Sequence, residues 1–226
     1  MNRRLRGITL VELLISIVLL SIIVLGLGSI DLFSRSHVIS SDRRVRISND
    51  ASLALEHMGK QIMNAFGNEI IDGANSVVSV VANSPPSDDG NTIRFKIDSD
   101  NNGTADTWRA YLYHNKLATS GKNQIWYCPQ CLDSTCVTCT THTWGDTNYP
   151  DDIIAKNISG FTPCKPLVDG TCCPSPYTGC VLGKNYVTIT IQACWDPAES
   201  HYSCGTPNNP SVNMKADITM PSVTTN

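Results

Sequence analysis

The first 31 residues read MNRRLRGITLVELLISIVLLSIIVLGLGSID, and one side chain in them is out of keeping with the rest. From Leu13 to Ile30 eighteen residues carry no charge, and from Ile8 to Ile30 there are twenty-three with a single carboxylate, Glu12. At ~1.5 Å per helical residue the longer stretch covers roughly 34 Å, enough to cross a hydrocarbon core of ~30 Å. Arg3, Arg4 and Arg6 precede it as the basic flank expected on the cytoplasmic side. Arg35, Arg43, Arg44 and Arg46 follow it, so the charge rule alone does not fix orientation. A carboxylate inside hydrocarbon costs about 2.5–3.5 kcal/mol on the insertion scale, which makes Glu12 a functional candidate by default.

Three readings compete for this segment. A secretory signal peptide has an apolar stretch of about 7–15 residues and a small-residue cleavage site. "GLGS" (Gly26 to Ser29) could serve as that site, but the apolar run is too long and contains a charge. A plain membrane anchor fits the length and leaves Glu12 unexplained. The third reading accounts for the carboxylate. "RGITLVELLISIVLLSII" resembles the class III signal of type IV prepilins and type II secretion pseudopilins. In that family a short basic leader ends in Gly, and Glu stands fifth in the mature chain. The resemblance implies that prepilin peptidase cuts between Gly7 and Ile8 and methylates the amine of Ile8. It also implies that Glu12 acts in assembly, pairing with the amino terminus of a neighbouring subunit, which offsets the cost of burying either charge. Two features depart from the commonest family pattern: Ile8 replaces Phe, and no proline interrupts the helix, the first being Pro85. Both suit a minor subunit better than a main building block.

Beyond the membrane the helix is expected to continue. Ile47, Ala51, Leu55, Met58, Ile62 and Phe66 recur at spacings of 4, 4, 3, 4 and 4, one apolar stripe of an amphipathic helix. Gly67–Asn68 is the expected stop, and a helix from Ile8 to Phe66 would run roughly 88 Å, with a curve or break at Gly26–Gly28. "SDRRVR" (Ser41 to Arg46) reads as a solvated stem face. After Asn75 the period falls to two. "TIRFKI" places Ile93, Phe95 and Ile97 on one face; "TWRAYLY" sets Trp108, Ala110 and Leu112 against Arg109, Tyr111 and Tyr113. "YVTITIQA" repeats the alternation, and all three predict half-buried antiparallel strands. Pro85–Pro86 with "SDDGN" reads as a loop, and "HNKL" (His114 to Leu117) as a tight turn.

The expected fold is therefore α+β: a pilin fold with a long N-terminal helix, transmembrane and then amphipathic, packed on an antiparallel sheet. Its parts are a leader at 1–7, a membrane half at 8–30, a stem at 31–67 and a β-rich head at 68–226. The order "ALEHMGKQIMNA", "IRFKIDSDNNGTADTWRAYLYHNKL", "IIAKNISGFT" and a last alternating strand diffusely resembles J-type minor pseudopilins and W-type minor pilins. The cysteine-rich insertion is foreign to that pattern.

All ten cysteines lie within the 77 residues from Cys128 to Cys204, about 13 % of that stretch and above the roughly 8–10 % of a disulfide scaffold. They are Cys128, Cys131, Cys136, Cys139, Cys164, Cys172, Cys173, Cys180, Cys194 and Cys204. An even number confined to the exported part predicts bridges formed in an oxidising compartment, with Cys172 and Cys173 going to different partners. The pattern Cys128-x2-Cys131-x4-Cys136-x2-Cys139-x2-His142 also has the elements of a metal site, though four residues between the pairs is short for a zinc ribbon.

"DSDNNGTAD" puts Asp98, Asp100, Asn102 and Asp106 at positions 1, 3, 5 and 9 of a calcium loop with Gly103 at 6. Position 12 is Arg109 instead of Glu, and Asp and Asn-Gly are also ordinary hairpin residues, so the alternatives are a weak Ca²⁺ site and a plain turn. No cofactor besides that calcium is expected. The five histidines are scattered and no nucleophile–base grouping or phosphate loop stands out, so the expected role is structural and not enzymatic. Formal charge is −3, and −6 once the three leader arginines are removed, which argues against nucleic acid as a partner. Expected partners are prepilin peptidase, other pilin or pseudopilin subunits, inner-membrane lipid before assembly and an external surface or ligand. The expected location is the inner membrane with an exported head, then the pilus or pseudopilus. A tip-binding subunit and an anchored metal-binding envelope protein are the other readings.

Overall fold

The structure is a computed structural model that describes residues 9–69, 77–82, 91–114, 123–132, 136, 139, 153–173, 180, 182–197 and 201–225. The chain divides into two units, Met1–Asp42 and Arg43–Asn226. One helix, α1 (Leu10–Ile62), contributes to both.

In the first unit α1 exposes its apolar side chains throughout, from Leu10 and Leu13 to Phe33 and Ile39. The helix runs through Gly26 and Gly28 without a break. Several of its polar side chains are satisfied locally. The hydroxyls of Ser16, Ser21 and Ser29 donate to the carbonyls of Glu12, Ile17 and Leu25, four residues back, at 2.7–2.9 Å. Hydroxyls bonded to their own helix can enter hydrocarbon without leaving a donor unpaired. Arg35 pairs with Asp31 one turn earlier at 3.0 Å.

In the second unit the helix changes character. Ile47, Ala51, Met58 and Ile62 of the anticipated stripe are buried, whereas Leu55 is only partly buried and Ala54, one position earlier, is buried in its stead. The helix stops at Ile62, sooner than expected. Ala65 N–H turns back to the Ile62 carbonyl at 2.9 Å, and the Asn64 amide donates to the Lys60 carbonyl at 3.1 Å. Phe66 therefore belongs to a strand, β1 (Phe66–Asn68), which pairs in parallel with β10 (Ser222–Thr224).

Five strands form an antiparallel meander: β2 (Val78–Ala82), β3 (Asn91–Ile97), β4 (Thr107–His114), β5 (Gln124–Cys128) and β6 (Ile153–Ala155). A second antiparallel sheet holds β7 (Ile158–Cys164), β8 (Tyr186–Cys194) and β9 (Ser211–Thr219). The β9 strand was not expected, although Val212, Met214, Ala216 and Ile218 alternate with polar residues in it. The turn expected at "HNKL", the loop at Pro85–Pro86 and His142 lie, apart from the backbone of His114, outside the described residues.

The half-buried expectation for "TWRAYLY" needs correction, because β4 and β5 are covered on both sides. Tyr111, Tyr113 and Ile125 join the main core with Met58, Ile62, Phe95 and Ile189. Ala110, Leu112, Trp126 and Cys128 point the other way and pack with Cys131, Cys136 and Cys139. Alternation of side chains across a strand makes both faces available, and the cysteine-rich segment supplies the second layer.

Candidate functional site

Glu12 lies in the first turn of α1, where it closes a capping box with Thr9. Thr9 N–H and Thr9 Oγ1–H both donate to Glu12 Oε2, at 2.8 and 2.9 Å, and Glu12 N–H donates to Thr9 Oγ1 at 3.3 Å. The reciprocal arrangement satisfies amide donors that the first helical turn would otherwise leave open. A Thr followed three residues later by Glu, just before an apolar run, is a readable signal for this device. The carboxylate is thus already hydrogen-bonded within its own chain, which lowers the cost of carrying it into hydrocarbon. Gly7 and Ile8, the expected processing pair, lie outside the described residues.

Residues 2–28 match the family model of the prokaryotic N-terminal methylation motif. The segment is a prepilin class III signal. Such a signal implies cleavage by prepilin peptidase and assembly with other pilin subunits. No curated protein and no solved structure matches the chain. The helix that this signal enters, α1, is long and apolar enough to cross a membrane.

The ten cysteines form five disulfides: Cys128–Cys139, Cys131–Cys136, Cys164–Cys172, Cys173–Cys180 and Cys194–Cys204. The vicinal pair is split between two bridges, as expected. The two Cys-x2-Cys units are cross-linked to each other, with one bridge nested inside the other. Among the described residues, Cys128, Cys131 and Cys136 do lie close enough to share a metal ion. Their sulfurs are all in disulfides, so this geometry offers no thiolate to a metal.

In the Asp98–Asp106 loop the oxygens serve the loop's own backbone. Asp98 accepts from Asn102 N–H at 3.1 Å and Gly103 N–H at 2.8 Å, and Asp100 accepts from Asn102 N–H at 3.2 Å. Asp106 accepts from Ser99 N–H and Oγ–H at 3.0 and 2.9 Å, bonds that hold its carboxyl below the usual range. A calcium ion would have to compete with these donors. A calorimetric titration at millimolar calcium decides whether it can.

Two polar arrangements in the head had no sequence signal. Lys165 and Glu69 form a buried ion pair, their side chains 4 % and 0 % exposed. The carboxylate also accepts from Leu182 N–H at 3.1 Å and Val78 N–H at 3.4 Å, and the ammonium donates to the Val78 carbonyl at 2.8 Å. Burial pushes the Lys165 ammonium down, and Glu69 pulls it part of the way back. The pair ties three chain segments of distant sequence position into one network.

The second arrangement sits where the helix meets the meander. The His57 ring lies edge-on to Tyr111 and Tyr127, with centroids 5.9 and 5.0 Å away, and Tyr111 and Tyr127 stack at 4.9 Å. Tyr111 Oη is 3.1 Å from His57 Nδ1, and Tyr127 Oη donates to Gln61 Oε1 at 3.0 Å. Arg109 Nη1 also donates to Gln61 Oε1. Burial, and secondarily the charge of Lys60, lowers the His57 pKa; burial raises the Tyr111 phenol and pushes that of Tyr113 up to about 12. These residues fix the helix on the sheet and carry no arrangement for covalent chemistry.

Proposed function

We propose that the chain is a minor subunit that primes or caps a type IV pilus or type II secretion pseudopilus. The observation that carries this reading is Glu12 at the fifth position after the processing glycine, inside the prepilin signal and ahead of an apolar helix exposed on all sides. Once Gly7 is removed, the amine of Ile8 and the carboxylate of Glu12 can pair between neighbouring subunits. The capping box keeps that carboxylate satisfied until a neighbour replaces Thr9 as its partner.

A minor role is favoured by three features of the chain: Ile8 at the new terminus, a membrane helix without proline, and a head held by five disulfides. The diffuse likeness to J-type pseudopilins and W-type pilins points the same way. The inner membrane would hold the subunit by α1 until it enters the filament, with the head on the outer side where its bridges form. The intact mass and N-terminal residue of protein isolated from membranes test the reading. A chain starting at methylated Ile8 supports it; a chain starting at Met1, or cut near Ser29, overturns it.

A further inference from the structure

Arg43 begins the second unit, and its surroundings differ from the solvated face expected of "SDRRVR". Its guanidinium carbon lies 5.3 Å from the centre of the Trp195 ring, and its Nη1 donates to the Asn208 carbonyl at 2.6 Å. Together with Asp196, Tyr202 and Asn209 these residues line a cleft of about 370 Å³. The volume is at the lower end of the roughly 300–1,000 Å³ of small-ligand pockets.

The cleft is built on a rigid frame. Cys194–Cys204 closes the loop that carries Trp195, Asp196 and Tyr202. Asn209 is 2 % exposed and cross-ties that loop from inside. Its Oδ1 accepts from Asp196 N–H at 2.9 Å, and its Nδ2 donates to the carbonyls of Asp196 and Tyr202, both at 2.8 Å. Trp195 packs against the main core, so the indole is a fixed wall. A site ordered in advance loses little conformational entropy on binding.

We propose that this cleft binds a saccharide, a mono- or disaccharide portion of a surface glycan. The walls combine aromatic rings with a guanidinium, a carboxylate and a carboxamide within one small volume. Sugar rings present polarised C–H bonds that rest on the negative face of an aromatic ring, here that of the exposed Tyr202, since Arg43 already covers the Trp195 ring. Their adjacent hydroxyls are donors and acceptors at once, matched by Asp196 as acceptor, Arg43 as donor and Asn208 as either. The opposite charges of Arg43 and Asp196 offset each other, which disfavours a polyanion such as nucleic acid, and the polar lining disfavours an apolar ligand. This inference does not depend on filament assembly.

The test uses the full chain, purified in a detergent without a sugar headgroup, on a glycan array, followed by calorimetry with the sugars retained. Wild-type protein should bind at least one saccharide class at micromolar to millimolar concentration. Asp196→Asn and Tyr202→Ala, both at exposed side chains, should each weaken binding by about tenfold while leaving the melting temperature unchanged. Glu12→Ala should bind as wild type does, which separates this site from the assembly reading. Absence of binding to any saccharide at millimolar concentration overturns the proposal, as does binding that neither cleft variant alters.

Discussion

Two halves of one helix handle apolar surface in opposite ways. Up to Asp42, α1 carries Leu, Ile, Val and Phe side chains around its circumference and buries none of them within the chain. From Arg43 onward one apolar stripe is buried, and its Ile47, Ala51, Ala54, Met58 and Ile62 are covered by the chain's own strands. The first half is unfinished as a folded object. Each of its side chains gains its burial energy, about 25 cal/mol per Å² of apolar surface, only from lipid or another subunit. The second half is complete. Residues before Asp42 should therefore govern association with little effect on head stability, and residues beyond it the converse.

The largest effect expected from this division is at Glu12. Replacing Glu12 with Ala should leave processing at Gly7 near its normal rate and lower filament incorporation by at least about tenfold, since an unmatched buried amine would remain in the assembly. The melting temperature of the head should not move. Quantifying the subunit in sheared filaments against membranes checks the first part, and normal incorporation would remove the assembly role from Glu12.

Next in size is the Glu69–Lys165 pair, which lies wholly on the completed side. Glu69→Gln leaves a buried ammonium without its counter-charge and should cost about 3–5 kcal/mol, or about 6–20 °C in melting temperature. Glu69→Leu combined with Lys165→Met should recover most of that loss, because no buried charge is then left alone. Thermal unfolding of the three proteins gives the comparison. A double variant as unstable as the single one would mean that the backbone bonds to Val78 and Leu182, and not the charge balance, hold these segments together.

How far these features could be read from the sequence follows the range of the forces involved. The apolar run, the stripe at Ile47 to Ile62 and the alternation in β3, β4 and β8 are local periodicities, and each is visible in a short window. So is the Thr9–Glu12 box, a four-residue pattern. Disulfide partners were not legible, since ten cysteines leave many connectivities open and only the folded backbone selects Cys164 for Cys172 and Cys173 for Cys180. The double burial of β4 has the same origin. "TWRAYLY" has the alternation of a one-sided strand, and the layer that covers Trp126 comes from a segment with little hydrophobic pattern of its own. Glu69 and Lys165 are 96 positions apart and carry no motif at all.

The bridge Cys128–Cys139 allows the comparison to be blurred deliberately. It lies over Ala110, Leu112 and Trp126, so the cysteine-rich layer makes this part of the head complete in the way the membrane half is not. Cys128→Ala with Cys139→Ala should cost about 2–3 kcal/mol by the loop-entropy argument. It should also raise binding of a hydrophobic dye to the soluble face of the sheet. Lost stability without new dye binding would mean that the nested Cys131–Cys136 bridge suffices to keep the layer in place.

The smallest effect is expected at His57, on the surface where helix and sheet meet. Its folded pKa lies below the ordinary 6.5 because burial, and then Lys60, disfavours the imidazolium. Between the folded and unfolded values the unfolded chain holds more protons, so stability rises with pH across that interval. Acidification from pH 7 through the unfolded value therefore withdraws stability, and the loss levels off once the pH passes below the folded value. Tyr111, Tyr127 and Lys60 surround the ring, and Arg109 reaches Gln61 on the same helix face. The adjacent carboxylate, Glu56, is bound to Lys60 at 2.6 Å, so burial remains the leading influence on the ring. His57→Gln keeps a hydrogen-bonding group near Tyr111 and removes the titration, so its melting temperature should fall less between pH 7 and pH 5 than that of the wild type. Equal pH slopes for the two proteins would show that the imidazolium is accommodated at this junction, and that the helix can shift on the sheet by enough to hydrate it.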